Sequence, residues 1–240
     1  MLSLTGFKFR FTPSLRMMLL TFVVIALFVR LGFWQLDRAF EKKQMIALQT
    51  KLAKRGPVAW FAGDSLPLQY QAVRVQGHFM SPIFLLDNQS HQHYFGYDVL
   101  SPLVLTTGQV ILVDRGFVAA DVRRLVLPQV DVPAGLIQVV GSVYFPSEKN
   151  WLLGQVVEKK QAEVTIVELI DTKIISQLLH KSVYPFIIRL GPDEAHGFKR
   201  EWSVVSMPPV RHYGYAVQWF AMATVILIIF IALNSKKIPK

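Results

Sequence analysis

The six histidines are the side chains of this sequence with the clearest capacity for metal or acid–base chemistry. They are His78, His91, His93, His180, His196 and His212. The chain has no cysteine, which excludes thiolate metal sites, iron–sulfur clusters and cysteine nucleophiles. It also lacks GxGxxG, P-loop, HExxH and GxSxG motifs, and no pair of acidic residues has a spacing that indicates general acid–base catalysis. We therefore predict that the protein is not an enzyme.

Two of the histidines stand close together in "SHQHYFGY", where His91 and His93 are two positions apart. In an extended segment both rings would point to one face and could chelate a metal ion. The sequence shows no third ligand nearby, so we interpret this segment as a polar loop before a strand. His78, His180 and His196 fit structural or surface positions.

His212 differs because it stands at the start of an apolar segment, "RHYGYAVQWFAMATVILIIFIALNSKK". On a helix, His212, Tyr215, Ala216 and Trp219 share one face. An imidazole with a small neighbour and aromatic walls suits a flat, apolar, iron-containing ring, with the imidazole as axial ligand. Alternatively, Tyr215 and Trp219 belong to an aromatic belt that anchors the helix at the membrane surface. Position alone leaves both interpretations open.

Two apolar segments at the ends of the chain account for a composition that is 52% hydrophobic and 18% charged. They run from Met17 to Leu36 and from Tyr213 to Leu233, and each has about the 20 residues that a membrane-crossing helix needs. The first could instead be a signal peptide, since basic residues precede it. No small-residue cleavage site follows, so we expect it to remain as an anchor.

The outer end of the first span carries polar residues that an ordinary anchor does not require. Arg30 lies inside the apolar run, where a charge is costly unless it snorkels or finds a partner. Gly32 allows close approach of a second helix or a ligand, and Gln35 adds a polar group near the same level. The outer ends of the two spans could therefore form one site.

Two spans predict five segments with both termini on the same side. We predict a cytoplasmic N-terminus (1–16), a transmembrane helix (17–36), an extramembrane domain (37–212, with 37–55 extending the first helix), a second transmembrane helix (213–233) and a cytoplasmic tail (234–240). The basic residues that flank the spans are nearly balanced between the two sides. A long central segment translocates largely regardless of its own charge, which favours cytoplasmic termini.

The net charge of +10 is unevenly distributed. Residues 38–55 hold six basic side chains and one acidic one, whereas residues 56–212 hold 13 basic and 14 acidic side chains. The basic excess thus stands next to the membrane, where lipid phosphates are the expected partner. The middle of the chain has no basic stripe, so we do not expect a nucleic-acid partner.

The central segment reads mainly as strands with short turns. Strands are predicted at 70–79, 96–105, 109–118, 136–145, 163–169, 184–190 and 201–206, with a hairpin turn at "TTG". Asp171 is the predicted N-cap of one short helix over "DTKIISQLLH". The predicted fold class is a membrane protein in which two transmembrane α-helices flank a β-rich (α+β) domain, an antiparallel sheet or a barrel-like structure.

Three segments in order resemble one known family. They are "LGFWQLDRAFEKK" (31–43), "GYDVLSPL" (96–103) with "VILVDRGFV" (110–118), and "HYGYAVQWF" (212–220). They are similar to the junction after the first span, the central pair of segments and the second-span signature of the Surfeit locus protein 1 family, the cytochrome c oxidase assembly factors. The two-span layout and the length agree, while 119–200 matches only loosely. Phe117 stands where many members have tryptophan, and Asp114 where asparagine is also common.

The resemblance implies a role in maturing subunit I of haem–copper oxidases, at the step where haem a is inserted. It implies that subunit I and other oxidase assembly factors are partners, besides membrane lipid. It also implies a multi-pass protein of the bacterial inner membrane with a periplasmic central domain. Some bacterial members are held to bind haem a through the histidine of the second-span motif, and the matching residue here is His212.

On this basis we expect haem a to dock between the outer ends of the two spans. The residues predicted to contact it are His212 as iron ligand, Arg38 and Arg211 with Arg30 as a further candidate for the propionates, and Trp34, Tyr215 and Trp219 around the ring. A second hypothesis is a haem-independent chaperone that holds subunit I by protein contacts alone. A membrane-anchored sensor is disfavoured, because only about 16 residues precede the first span and no output domain is visible.

Overall fold

A computed structural model describes residues 4–6, 9–147, 157–160 and 163–237. In chain order its elements are β1 (Leu4–Gly6), β2 (Phe9–Phe11), α1 (Leu15–Ala53), β3 (Val58–Ala59), β4 (Ala72–Phe79), β5 (Ile83–His91), β6 (Tyr94–Val104), β7 (Val110–Ala119), β8 (Ile137–Tyr144), β9 (Val157–Lys160), β10 (Val164–Val167), α2 (Thr172–Leu179), β11 (Val183–Leu190), α3 (Pro209–Asn234) and β12 (Ser235–Lys237). They form two compact units, one from residues 1–47 with 204–240 and one from residues 48–203.

The first unit is built on α1 and α3, which are long and apolar enough to cross a membrane. Their most apolar 18-residue windows have mean hydropathies of 2.2 and 2.4. α1 is 39 residues long and continues without a break past the apolar run to Ala53. Gly56, with a φ of +70°, and Pro57 follow its end, as expected for residues that stop a helix.

Small residues bring the two helices of this unit into close contact. A Cβ atom on Gly32 of α1 would lie 2.6 Å from the ring of Phe220, so a side chain there would displace this ring. The ring centroids of Phe28 and Trp219 are 5.4 Å apart. Along α3 the buried and half-buried positions recur every three or four residues, which is the spacing of one helix face that packs against another.

A small three-stranded sheet joins the two ends of the chain. β2 pairs antiparallel with both β1 and β12, and Arg10 lies opposite Lys236. The amide of Thr12 also donates to the carbonyl of Asn234 at 2.9 Å. Residues 9–11 and 235–237 therefore lie together in this unit, and they include the basic residues Arg10, Lys236 and Lys237.

The second unit contains a nine-stranded sheet in the order β3-β4-β8-β11-β7-β6-β5-β10-β9. An additional pairing of β4 with β6, at His78–Val104 and Phe79–Leu103, closes five of these strands into a barrel. β5, β10 and β9 continue the sheet beyond the barrel, and α2 covers part of its outer face. This confirms the predicted fold class of two long apolar helices flanking a β-rich domain.

The barrel interior is mainly apolar, and the described residues there include one buried arginine, Arg115, with a serine, Ser101, beside it. Alternate residues of the five strands, among them Val73, Ile111 and Phe186, form a fully buried cluster. Arg115 reaches this interior, where its guanidinium donates to the carbonyls of His196 at 2.7 Å and Asp131 at 2.8 Å and to the Ser101 hydroxyl at 3.2 Å. These bonds compensate for the loss of water around a buried cation.

Most predicted elements of this unit are present, and two differences have a physical reason. β5 was not predicted because Ile83 to Leu86 are buried on both faces, which removes the alternation that marks a strand. The predicted strand over 201–206 was wrong. There the Nε1–H of Trp202 donates to the Leu190 carbonyl at 2.8 Å, and the segment is not assigned to a strand. α2 begins after its predicted N-cap Asp171, whose carboxylate accepts from the amides of Lys173 and Ile174.

Replacing Gly32 by leucine should separate the helices of the first unit, because no room exists for a side chain beside Phe220. The chain has no cysteine, so Phe28→Cys with Trp219→Cys can be joined by a bifunctional thiol crosslinker that reports helix pairing. We expect Gly32→Leu to reduce crosslinking at least severalfold. Gly214→Leu is the control, since no atom lies within 4 Å of a Cβ there, and equal loss in both variants would contradict the packing.

Candidate functional site

The imidazole of His212 is the central group of the candidate site in the first unit. It lies in the first turn of α3 and is only 8% exposed, on the helix face that also buries Ala216 and Ala223. Its Nδ1 lies 2.7 Å from Oε1 of Gln35 on α1. This is a hydrogen bond between side chains on two apolar helices, 177 positions apart in the sequence.

The bond to Gln35 determines which ring nitrogen is available for other chemistry. An amide oxygen can only accept, so Nδ1 donates its proton, and in the neutral form of this imidazole Nε2 carries the lone pair. Nε2 is buried and has no hydrogen-bond partner among the described residues. A neutral imidazole held through Nδ1–H with an unpartnered Nε2 has the donor chemistry of a metal ligand. The residues present therefore fit a haem iron at Nε2.

The three residues predicted on α1 to contact the ligand all lie on its exposed side. Trp34 is 48% exposed, and the Arg38 guanidinium stacks over its ring at 5.7 Å. Arg38 also forms an ion pair with Glu41 at 2.7 Å, in which both side chains are about half exposed. Arg30 is exposed too, and it is two positions from the buried Gly32, which puts it on the opposite side of the helix from that packed face.

The residues predicted on α3 divide between the buried face and its rim. Trp219 is half-buried and packs on Phe28, on the same face as His212. Tyr215 is 44% exposed and borders that face, and Arg211 is exposed in the first turn. The structure thus places His212, Ala216 and Trp219 on one face of α3, whereas the other predicted side chains are exposed and have no described contact with His212. Gln35 completes the site, although sequence reasoning noted only its depth.

The histidine pair in the second unit is not arranged as a metal site. His91 ends β5, with its ring 5.6 Å from that of Phe117 and its Nδ1 3.9 Å from a carboxylate oxygen of Glu201. His93 lies in the hairpin turn with a φ of +71° and is exposed. The described residues contain no group of three potential metal ligands of the His, Cys, Asp and Glu types. The interpretation of this segment as a polar loop before a strand fits His93, which lies in the turn, whereas His91 is the last residue of β5.

A family model describes both helices and the β-rich unit together, matching residues 22–224 under the name SURF1 family. The chain belongs to the SURF1 family. A SURF1-like protein of Rickettsia felis is 28% identical over 221 residues, which cover 89% of this chain and 93% of the relative. A SURF1-like protein of Rickettsia conorii is 26% identical over 219 residues, 88% of either chain.

Family membership confirms the resemblance found in the three sequence motifs. SURF1 proteins are assembly factors rather than enzymes, and membership suggests a role in cytochrome oxidase assembly. Together with the two apolar helices, it indicates a membrane protein. The relatives in Rickettsia species suggest a bacterial origin.

The β-rich unit of this SURF1 protein also holds a partly buried row of polar side chains that sequence reasoning missed. Asp98 on β6, Asp114 on β7 and Arg189 on β11 lie across neighbouring strands, and Arg189 pairs in register with Asp114. The guanidinium of Arg189 lies 3.8 Å from the ring centre of Tyr144 and 5.4 Å from that of Trp202. Cavities of about 190 Å³ and 260 Å³ reach this row, and Asp98 and Arg189 line both.

Burial makes the carboxyl groups of Asp98 and Asp114 weaker acids than an ordinary aspartate. It raises the pKa of Asp98 from 3.8 to about 6, against the opposing effect of the positive charges on Arg189 and His91. Burial, followed by the negative charge of Asp98, raises the pKa of Asp114 well above its ordinary value, while Arg189 and the Gly116 amide act in the opposite direction. Ionisation of these two carboxyl groups therefore destabilises the folded domain.

Replacing Asp114 by asparagine should stabilise the β-rich unit at neutral pH. The folded pKa is raised, so the stability of the natural protein falls as the pH rises from about 4 through 6 and beyond. Asparagine keeps an oxygen for the Gly116 amide, which is 3.2 Å from the aspartate, and it cannot ionise. We expect a gain in the free energy of unfolding at pH 7 that vanishes near pH 4, where the aspartate is protonated in both the folded and the unfolded protein.

Denaturant unfolding monitored by tryptophan fluorescence between pH 4 and pH 8 measures this gain. The exposed Asp193, replaced by asparagine, provides the matched control and should show little change. A loss of stability in Asp114→Asn at pH 7 would show that the ionised carboxylate supports the fold.

Proposed function

We propose that this SURF1-family protein assists the delivery of haem a to subunit I of a haem–copper (cytochrome c) oxidase, with His212 Nε2 as the iron ligand. The observation that carries the proposal is the buried, unpartnered Nε2 of a histidine whose other nitrogen is held by Gln35. When bound, haem a supplies an electron-accepting iron for this nitrogen and propionate carboxylates for nearby cations.

The cost of burying Nε2 of His212 without a hydrogen-bond partner favours a ligand that binds transiently. Burying a polar atom without a partner costs about 1–3 kcal/mol. This cost is present while the helices pack over Nε2 and would be relieved when the nitrogen becomes coordinated. Because Nε2 is covered, a small movement of the imidazole or of the adjoining helix turns must expose it. A site that opens to accept its ligand can also release it, as delivery to another protein requires.

The exposed cations near this helix turn would recognise the carboxylates of the ring. The ion pair between Arg38 and Glu41 is exposed to water, and such pairs contribute about 0–1 kcal/mol, so Arg38 can exchange Glu41 for a propionate at little cost. Arg211 is next to His212 in the sequence and is also exposed. Trp34, Tyr215 and Trp219 offer aromatic surface for the ring itself.

Replacing His212 by alanine tests the ligand role. When purified from cells that make haem a, the variant should contain at least about tenfold less haem than the unaltered protein. The reason is that the described part of the first unit has no other histidine that could bind the iron. Absorption spectra and haem quantification by pyridine extraction measure the loss. Gln35→Leu should retain the ligand but weaken haem binding by about 10–100-fold, the usual effect of removing a supporting hydrogen bond.

His78→Ala serves as the control, since this histidine is exposed on β4 of the other unit. If His212→Ala retains its haem and its axial-ligand spectrum, the ligand assignment is wrong. If oxidase assembly also stays intact in that variant while surface changes in the β-rich domain abolish it, the haem-independent chaperone is the correct function.

We also propose that the protein lies in the bacterial inner membrane with the β-rich domain in the periplasm and both termini in the cytoplasm. The pairing of β2 with β12, which keeps both chain ends together, supports a common side for the termini. A periplasm-specific reporter inserted after Gly135, in an exposed turn, should be active, and the same reporter at the C-terminus should be inactive. The reverse pattern would refute this topology.

A further inference from the structure

We propose that one end of the β-rich domain carries a surface that docks on the membrane. This end patch consists of the side chains of Tyr94, Phe95, Val122, Leu125 and Val126, and its ligand is the headgroup region of an anionic lipid bilayer. The patch is separate from the haem-ligand site proposed above, and the proposal does not depend on haem binding.

The backbone places the two parts of the patch side by side. Gly96 of β6 pairs with Ala119 of β7, and the amide of Ala120 donates to the carbonyl of Phe95 at 3.0 Å. The chain then turns at Asp121, whose carboxylate accepts from the amides of Arg123 and Leu125, both at 3.2 Å. This fixed turn therefore presents the apolar side chains of 122–126 next to the hairpin tip at 94–95.

The exposure of these side chains is too high for residues that merely border a core. Tyr94 and Phe95 are 66% and 67% exposed, and Val122, Leu125 and Val126 are 99%, 76% and 68% exposed. Single exposed apolar residues are ordinary, whereas several together mark a surface that binds something. The turn is also held in place, because Arg124 forms an ion pair at 3.3 Å with Asp87, a buried residue of β5.

The charges around the patch favour lipid phosphates as its partner. The carboxylate of Asp121 is engaged by the amides of its own turn, and that of Asp87 by Arg124. Arg123 is exposed between Val122 and Leu125. An exposed guanidinium among aliphatic and aromatic side chains is typical of surfaces that insert into the headgroup region.

The position of the patch in the chain also favours the membrane over a protein partner. Phe117 of β7, two positions before Ala119, exchanges backbone hydrogen bonds with Lys199. Lys199 is followed by only nine residues before Pro209, where the apolar helix α3 begins. The patch thus lies near Lys199 within the β-rich unit, and Lys199 is close in sequence to the start of α3.

Fluorescent labels on the full-length protein in lipid nanodiscs test the proposal. The chain has no cysteine, so Val122→Cys and Leu125→Cys each accept a single environment-sensitive label such as NBD. Leu136→Cys is the control, because Leu136 is 59% exposed but lies at the opposite end of the domain. Its neighbour Ile137 pairs with Gly77, next to the His78–Val104 pairing at the far end of β6. The nanodiscs contain phosphatidylethanolamine and phosphatidylglycerol.

We expect labels at positions 122 and 125 to show emission shifted to shorter wavelength, and quenching by shallow doxyl lipids at least about twofold stronger than at position 136. Replacing phosphatidylglycerol by phosphatidylcholine should reduce this quenching, since the attraction of Arg123 to anionic lipid is lost. Quenching no stronger than at position 136 would overturn the proposal. The proposal would also be overturned if the emission of the label shifted to shorter wavelength only when purified oxidase subunit I is added. That result would make the patch a protein-binding surface.

A paired variant separates lipid docking from folding. Phe95→Asp with Leu125→Asp should abolish the quenching of a label at Val122→Cys, while thermal unfolding of the domain stays close to that of the unaltered protein because both side chains are exposed. Leu136→Asp should leave the quenching unchanged. If the paired variant keeps its quenching, the end patch does not bind the bilayer.

Discussion

The hydrogen bond between Gln35 and His212 is the interaction on which the proposed chemistry of this protein depends. In an apolar setting a polar side chain needs a partner, and these two groups satisfy each other through Nδ1 and Oε1 at 2.7 Å. The same bond leaves Nε2 with its lone pair and without a partner. One contact therefore positions the imidazole, selects its tautomer and creates the unsatisfied atom that a metal would relieve.

Close helix packing makes that contact possible. Gly32 lets the ring of Phe220 lie against the backbone of α1, and Ala39 and Ala216 are fully buried. Larger residues at these positions would push the helices apart and break the bond between Gln35 and His212. The small residues thus act on the chemistry indirectly, through the distance between two helix axes.

Two arginines of the β-rich domain, Arg115 and Arg189, have different surroundings. Arg115 donates three hydrogen bonds, to two carbonyls and a hydroxyl inside the barrel, which makes it part of the fold. Arg189 instead lies between aromatic rings and beside two carboxyl groups with raised pKa values, and its Nε has no hydrogen-bond partner among the described residues. The first arrangement supports the barrel, while the second costs stability at neutral pH.

The sequence by itself determined the two apolar helices, the β-rich class of the domain, the N-cap at Asp171 and the family, because each of these follows from local patterns or short motifs. It also singled out His212 from its place at the head of an apolar helix. Only the tertiary structure decided that Gln35 is the partner of this histidine, that β4 closes a barrel onto β6 and that Asp98, Asp114 and Arg189 form one row. These contacts join residues far apart in the chain, and they depend on strand register and helix rotation, which no local pattern specifies.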